Sequence, residues 1–322
     1  MITSLGQSTK ALSDSRPPIP VATLAIACLV CLLVQGCAQH DVTEPQSFAS
    51  TDDAVRALTD AVRANDTNKL LAIVGSEGEA IVSSGDEVAD RQRRQKFLAL
   101  YDEKHSLANE KPDAATLVIG NSDWPFPVPI VRDDKGWFFD SEAGREEILN
   151  RRIGENELSA IQVCKAIGDA QREYAMRDPT GNGVHEYAQQ FVSDSGRRNG
   201  LFWHVAEGEP PSPLGELAAG AAEEGYKRRE QGPTPYHGYY YRILRAQGPS
   251  ASNGALEYVV NGKMTLGFAV VAHPAEYGNS GIMTFIMGDD GVVYQKDLGE
   301  ETAKLAGGMK AFDPGKGWTK VE

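Results

Sequence analysis

Cysteine is scarce in this sequence, and its placement excludes a disulfide scaffold. The chain of 322 residues has four cysteines, of which Cys28, Cys31 and Cys37 all precede residue 38. Only Cys164 remains in the body of the chain, and a single thiol cannot form an internal disulfide. Cys28 and Cys31 have CxxC spacing, but they lie inside an apolar run and form neither a redox nor a zinc motif. The fold must therefore rest on a hydrophobic core.

Basic side chains are also in short supply. There are 32 lysines and arginines against 45 acidic residues, and the formal net charge is −13. Nucleic-acid binding requires a basic surface, and so does a polybasic contact with an anionic membrane. We therefore predict no nucleic-acid partner and no contact with a membrane except through a lipid anchor. The acidity itself is typical of a soluble surface.

Catalytic and cofactor motifs are missing. His185, His204, His237 and His273 are scattered, without the HExxH or HxxxH spacing of a helical zinc site. The sequence has no GxSxG elbow, no phosphate-binding loop and no dinucleotide fingerprint. We therefore predict no catalytic residues and no cofactor, apart from a calcium hypothesis described below.

One long apolar run is present, over residues 21–34. It is shorter than the roughly 20 residues of a membrane-spanning helix, and the basic residues Lys10 and Arg16 precede it. These features are typical of a secretion signal. We therefore predict that residues 1–37 are a signal peptide and that the protein is exported to the bacterial envelope.

The run ends in Val34-Gln35-Gly36-Cys37, which resembles a lipobox. The resemblance implies lipidation of Cys37 and, because Ala38 and not aspartate follows, sorting to the outer membrane. Two alternatives stay open. Ordinary cleavage after Ala38 would give a soluble periplasmic protein, and an uncleaved segment would act as a membrane anchor.

Residues 38–47 are polar and predict a short tether, and residues 48–152 predict an α+β domain. A first helix is expected to be capped by Asp52 or Asp53, and a second is expected over 69–74, ended by Gly75. A third helix is expected over 86–104, with the charged run 90–94 opposite an apolar face. Strands are expected over 115–119, 128–131 and 137–139. Helices followed by an antiparallel sheet resemble the nuclear-transport-factor-2-like cone in order and length.

Residues 153–322 predict a long helix followed by an antiparallel β-meander, which resembles a pilin head in outline. The helix is expected over 155–177, because apolar residues recur every three or four positions. That stripe consists of Leu158, Ile161, Cys164, Ile167, Ala170 and Tyr174. On it, Cys164 is expected to be a buried hydrophobe and not a nucleophile. Hairpins are predicted at 261–262, between strands 255–260 and 263–271, and at 289–291.

The segment after the long helix has the spacing of an oxygen-rich calcium loop. The candidate ligands are Asp178, Thr180, Asn182, the carbonyl of Val184, and Glu186. Gln189 stands where such loops have a bidentate glutamate, and Pro179 is unusual, so the alternative is a glycine-rich turn without a metal.

An aromatic cluster is the other candidate site. Its members are Trp203, Tyr236, His237, Tyr239, Tyr240 and Tyr241. On a strand, Tyr239 and Tyr241 share one face and Tyr240 takes the other, so one face is expected to be core. The rest would form a binding surface for a sugar or peptide, the alternative being core packing. The proline-rich segment 124–129 is expected to be extended and either to line a groove or to cover a sheet edge.

Several segments together resemble an exported proteobacterial family, domain-of-unknown-function family 2950. They include WPFPVPIV, RRIGENEL, EYAQQFVSDSGRRNGLFWH, PYHGYYYRILRAQGPSA and GFAVVAHPAEYGNSGIMTF. The resemblance covers the chain from about Phe48 to Trp318. It implies no established activity.

These observations predict an envelope lipoprotein or periplasmic protein that acts by binding. The expected partner is another envelope protein or a cell-wall component. Two alternatives stay open: a hydrolase built from His204, His237, His273 and nearby acids, and a structural module stabilised by calcium at 178–186.

Overall fold

The computed structural model describes residues 43–227 and 232–321. The predicted signal peptide 1–37, the lipidation site Cys37 and the beginning of the tether lie outside the described residues. Across the two described ranges, no helix combines the length and the apolar character that crossing a bilayer requires.

Helices open the described chain. They are α1 (Thr51–Arg63), α2 (Thr67–Val74), a 3-10 turn (Ser76–Gly78), α3 (Glu79–Val82) and α4 (Glu87–Glu103). Ser50 caps α1 by accepting a hydrogen bond from the backbone N–H of Asp53. The predicted caps Asp52 and Asp53 are instead in the first turn, where their negative charges interact favourably with the positive end of the helix dipole. Gly75, at φ 70°, ends α2 as expected. Asp86 caps α4, whose bounds agree with the predicted helix 86–104.

A five-stranded antiparallel sheet follows. Its strands are β1 (His105–Lys111), β2 (Ala114–Ile119), β3 (Trp124–Pro125), β4 (Ile130–Asp133) and β5 (Gly136–Phe139). The order is β1-β2-β4-β5, and β3 pairs with β2. The sequence did not predict β1, because only Leu107 and Ala108 are apolar in this edge strand. An edge strand exposed to solvent needs little hydrophobic alternation.

A single 37-residue helix, α5 (Ser141–Arg177), connects the two halves of the described chain. It begins 14 residues before the predicted start at 155, so the predicted domain boundary at 152–153 falls within it. The helix starts early because Asp140 caps it by accepting from the N–H of Ala143. The predicted stripe is buried from Ile161 to Tyr174, but Leu158 is 67% exposed, since α5 meets the second core only beyond that residue.

The second half contains two helices and nine strands among the described residues. These are α6 (Gly215–Glu223), β6 (Tyr239–Leu244), β7 (Ala246–Gln247), β8 (Leu256–Glu257), β9 (Val259–Val260), β10 (Lys263–Met264), β11 (Ala269–Pro274), β12 (Met283–Gly288), β13 (Val293–Asp297), α7 (Thr302–Gly308) and β14 (Thr319–Lys320). The main sheet has the antiparallel order β14-β13-β12-β11-β6, with α5 packed against β11 and β12. The fold is therefore α+β, with a long helix followed by a β-meander.

Both predicted hairpins form, with one difference. The turn 289–291 joins β12 to β13 as expected. The turn at Asn261 and Gly262 joins only the two-residue strands β9 and β10. The predicted strand 263–271 is wrong, because the chain leaves the hairpin at Gly267, whose φ of 139° suits glycine, and then enters β11 of another sheet.

Two hydrophobic cores result. The first lies between α1, α2 and the first sheet and includes Leu58, Leu117 and Phe139. The second lies between α5 and the main sheet and includes Cys164 and Phe285. Since α5 borders the first core at its N-terminal part and the second at its C-terminal part, residues near its middle lie between the two.

Candidate functional site: an apolar cavity with basic residues in its wall

A cavity of about 440 Å³ lies inside the first half of the described chain. Helices α1, α2, α4 and α5, the sheet and the segment between β3 and β4 all contribute to its wall. Most of the wall is apolar, for example Leu58, Leu100, Phe126 and Ile148. Its volume is within the range of about 300–1,000 Å³ that is usual for small-molecule sites.

The cavity exists because α4 does not seat closely on the sheet. Of the residues in α4, only Ala89 and Asp90 are buried, while Phe97 and Leu100 are half-buried and line the cavity. The floor is well packed, with Ile119 almost wholly buried and also part of the lining. The space under α4 therefore has large apolar side chains on both sides.

The proline-rich segment 124–129 forms one side of the cavity. Prolines at alternate positions hold the chain extended, which turns Trp124, Phe126 and Val128 towards one side. All three line the cavity, and the N–H of Phe126 donates to the carbonyl of Leu117 at 2.7 Å. The segment was predicted either to line a groove or to cover a sheet edge. In the structure it lines a cavity, and Trp124 also pairs with β2.

Charged residues in the wall are mostly basic, in contrast to the acidic chain as a whole. Five basic and two acidic residues line the cavity, namely Arg93, Arg94, Lys96, Arg151, Arg152, Asp90 and Glu155. Lys96, Arg151 and Glu155 are exposed and mark where the cavity meets solvent. The guanidinium of Arg151 lies over the ring of Trp124, 5.1 Å from its centroid, so the cation covers an apolar wall.

Arg152, on α5, is 3% exposed and has three hydrogen-bond acceptors. Its Nη1 donates to the carbonyl of Ala80 at 2.6 Å and to the side chain of Asn279, and its Nη2 donates to the carbonyl of Ile81 at 2.8 Å. Its buried Nε has no hydrogen-bond partner among the described residues. Burial, followed by the charge of Arg93, lowers the pKa of Arg152 to about 10, so the group is still charged at neutral pH.

Arg93, on α4, also has a buried N–H donor that makes no hydrogen bond among the described residues. Its Nη2 donates to Oδ1 of Asn156 at 2.8 Å. Its Nη1 is buried, 3.5 Å from Oδ1 of Asp90, and within the described ranges it makes no hydrogen bond. The same carboxylate accepts from the hydroxyl and the N–H of Ser84 at 2.6 and 2.9 Å. Asp90 is therefore buried, and its predicted place on the solvated face of α4 is wrong because Ser84 binds its carboxylate.

Two of the predicted surface residues lie in a polar cluster near the cap of α4. Asp86 Oδ2 accepts from the hydroxyl of Tyr226 and from the N–H of Gly238, both at 2.9 Å. Tyr236 packs edge-on against Tyr226, and His237 Nε2 is 3.4 Å from Oε2 of Glu224. His237 has a φ of 49°, an uncommon backbone conformation that this cluster holds in place. Neither Tyr236 nor His237 lines the cavity.

Among the remaining members of the predicted surface, the hydroxyl of Tyr241 donates to the carbonyl of Tyr236 at 3.3 Å, whereas Trp203 and Tyr240 contact residues outside that cluster. Tyr239 has no exposed area, and its hydroxyl donates to the carbonyl of Met283 at 2.9 Å, so its predicted role in a surface is wrong. Burial raises the pKa of Tyr241, which lines a more polar cavity of about 560 Å³. Tyr240, on the other face of the strand, contacts His273, and Trp203 lies under the guanidinium of Arg198. Strand alternation and core burial explain this separation.

The predicted calcium ligands are close together but bind one another. Asp178 Oδ2 accepts from the N–H of Gly183 at 2.8 Å, which is the main cause of the lowered pKa of Asp178. Asn182 donates to Glu186 Oε1 at 2.6 Å and to Thr180 Oγ1. The N–H of Val184 donates to Asn182 at 2.9 Å. Gln189 turns away and donates to the carbonyl of Gly262. No group of three or more histidine, cysteine or acidic side chains suited to a metal occurs in the described part of the chain.

The histidines of the hydrolase alternative have different neighbours. His204 packs on Phe202, and His273 packs on Tyr240. His237 contacts Tyr236 and Glu224. Burial lowers the pKa of His273. None of the three lines the apolar cavity.

The sequence did not identify Arg93, Arg152 or the cavity they line. The arginines are 59 positions apart, and no motif connects them. The turns on either side of Arg152 are rich in charged residues, so no local signal distinguished it.

A family model described as "Protein of unknown function (DUF2950)" matches residues 45–321. No curated protein and no solved structure matches the chain.

Proposed function

We propose that this chain, which belongs to the DUF2950 family, binds a small apolar molecule in the cavity under α4. The cavity is the observation that carries the proposal. A concave, mainly apolar space with a few polar groups is the usual form of a small-molecule site. Among the described residues, those that line the cavity include no histidine and no cysteine, which favours binding over nucleophilic chemistry.

The proposed location is the bacterial envelope. The support is the sequence of residues 21–37, which is typical of an exported lipoprotein with Cys37 as the lipidated residue. Apolar molecules in the envelope need a protein cavity to cross or remain in an aqueous compartment, because water excludes them. A further partner, either an envelope protein or a cell-wall component, stays a prediction.

The test is a titration of the purified protein with N-phenylnaphthylamine, a neutral probe that fluoresces in apolar surroundings. We expect saturable binding at one site. The variant Ile148→Phe should bind the probe more weakly, because the larger ring takes up part of the space that the probe would occupy. Ile148 is half-buried at the edge of the first core and lines the cavity, so the change adds volume in the cavity wall.

Leu158→Phe is the matched control. Leu158 is on the same helix, is 67% exposed and does not line the cavity, so binding should be unchanged. Thermal melting of both variants shows that each is folded. Absence of saturable probe binding by the unmodified protein, or equal loss in both variants, contradicts the proposal.

A further inference from the structure

Two arginines of the cavity wall, the buried Arg152 and the half-buried Arg93, identify the class of ligand. We propose that the cavity takes a single-chain amphiphile with a terminal carboxylate, such as a long-chain fatty acid, and that Arg93 and Arg152 bind the carboxylate. The inference rests on the proposed function, because it requires that the cavity holds an apolar chain.

Unused donors are the first support. Arg152 Nε and Arg93 Nη1 are both buried and lack hydrogen-bond partners in the described ranges. Buried donors without acceptors are rare, because each costs free energy that water would otherwise offset. Both residues line the cavity. A carboxylate has two oxygens and about four lone-pair sites, and can therefore accept from two guanidinium groups.

Charge balance is the second support. Arg93 and Arg152 are close enough for the charge of one to disfavour that of the other. Asp90 is the acidic residue of the wall that lies beside them, and Ser84 already donates twice to its carboxylate. The carboxylate of Glu276, which does not line the cavity, also favours the charge of Arg152, so the excess of cations is a property of the cavity wall, where five basic and two acidic described residues lie. A ligand with a negative charge would be attracted by this wall, whereas a neutral ligand would not.

The rest of the wall accounts for the chain of the ligand. Phe97, Leu100, Phe126 and Ile148 provide apolar surface beyond the arginines. Lys96 and Arg151, which are exposed, would attract an anion to the opening. The basic wall is a local exception in a chain of net charge −13, so a general attraction of the protein for anions does not explain it.

The experiment compares laurate with lauryl alcohol, which has the same chain and no charge, by displacement of the neutral probe. The unmodified protein should bind laurate at least about tenfold more tightly, as expected for a charge-assisted hydrogen bond. Arg93→Gln should reduce laurate affinity about tenfold or more and leave the alcohol within about twofold. Arg91→Gln is the matched control: Arg91 is exposed on the same helix and does not line the cavity, so both affinities should be unchanged.

Arg152 needs a gentler change, because it also binds backbone carbonyls of α3. Arg152→Lys keeps the charge but loses the Nε donor, so it should weaken laurate binding while the alcohol still binds. The proposal of a carboxylate ligand is overturned if the unmodified protein binds laurate and lauryl alcohol equally, or if the ratio of the two affinities is unchanged in Arg93→Gln. It is overturned in favour of a phosphate ligand if lauryl phosphate binds more tightly than laurate. If the probe itself does not bind, the proposed function fails instead.

Discussion

Cys164 has no exposed surface, and its burial raises the pKa of the thiol to about 12. Such a thiol is almost entirely protonated at neutral pH and is a poor nucleophile. The position on the apolar stripe of α5 was enough to predict this, because a residue that faces a core at helical spacing is buried whatever its chemistry. The prediction of a buried cysteine is confirmed.

Cys164→Ala should lower the free energy of unfolding by about 1 kcal/mol, because the side chain is small and leaves a small void. Urea denaturation of the two proteins measures the difference. A bulky maleimide should label the native thiol only when denaturant is added. Rapid labelling of the native protein would contradict the burial of Cys164.

Asp90, Arg93 and Arg152 show what residue patterns cannot reveal. Charged residues at 90–94 are typical of a solvated helix face, and sequence spacing does not indicate that Ser84 and Asn156 satisfy two of them. Such partners come from different elements and meet only when the helices pack. The candidate site could therefore not be predicted.

Among the secondary-structure elements, helix α5 extends from the first hydrophobic core to the second. Gly75 allowed the end of α2 to be predicted, because such a stop signal acts locally, and the bounds of α4 followed from its helical spacing. The start of α5 was missed, because 141–154 is rich in charge and contains Gly144 and Gly154. Strand β1 was missed for a similar reason: its side chains are mostly polar, and pairing with β2 makes it a strand.

Gly154→Ala tests the continuity of α5 across the predicted boundary. A Cβ at this position would have no neighbour within 4 Å, so alanine should only remove conformational freedom from the unfolded chain. We expect stabilisation by about 0.5–1 kcal/mol in urea denaturation.

The matched change Gly144→Ala is in the same helix, but its Cβ would lie 2.7 Å from the backbone Cα of Val128, so it should be destabilising. No stabilisation by Gly154→Ala would indicate that the helix is interrupted near 154.

The loop 178–186 has hydrogen bonds that close it without a cation. Asp178, with its lowered pKa, accepts from the N–H groups of Asn182 and Gly183 at 3.2 and 2.8 Å. We expect millimolar calcium to leave the melting temperature unchanged after chelator treatment. An ion that bound only the folded protein at a hundredfold excess over its Kd would add about 2.7 kcal/mol. A rise in melting temperature that Asp178→Ala removes would establish the calcium alternative.

In the whole molecule, the fold class could be predicted from the order of its elements. Helices come first, then strands, then a long helix, and finally hairpins. The division into two cores agrees with that order. The order of elements did not predict how the two halves are connected, because the connection depends on contacts between distant residues. One example is the hydrogen bond from the side chain of Asn156 to the carbonyl of Ser280, 124 positions away. The likenesses to a cone and to a pilin head stay comparisons of element order.

Export is the prediction that concerns the entire chain. Cys37→Ser should abolish incorporation of radiolabelled palmitate and release the protein from the membrane fraction, because the thiol is the proposed lipid attachment point. Cys164→Ser is the control and should still be labelled, since Cys164 is buried in the folded chain. Absence of palmitate in the unmodified protein would favour a soluble periplasmic product.

The cavity under α4 is proposed to hold an amphiphile by its chain and its carboxylate. The most direct measurement is a crystal structure of the protein with laurate. We expect the laurate chain between α4 and the first sheet, with its carboxylate within hydrogen-bonding distance of Arg152 Nε and Arg93 Nη1. Laurate bound elsewhere, or a cavity filled by Phe97 and Phe126 with no ligand at saturating concentration, would contradict it.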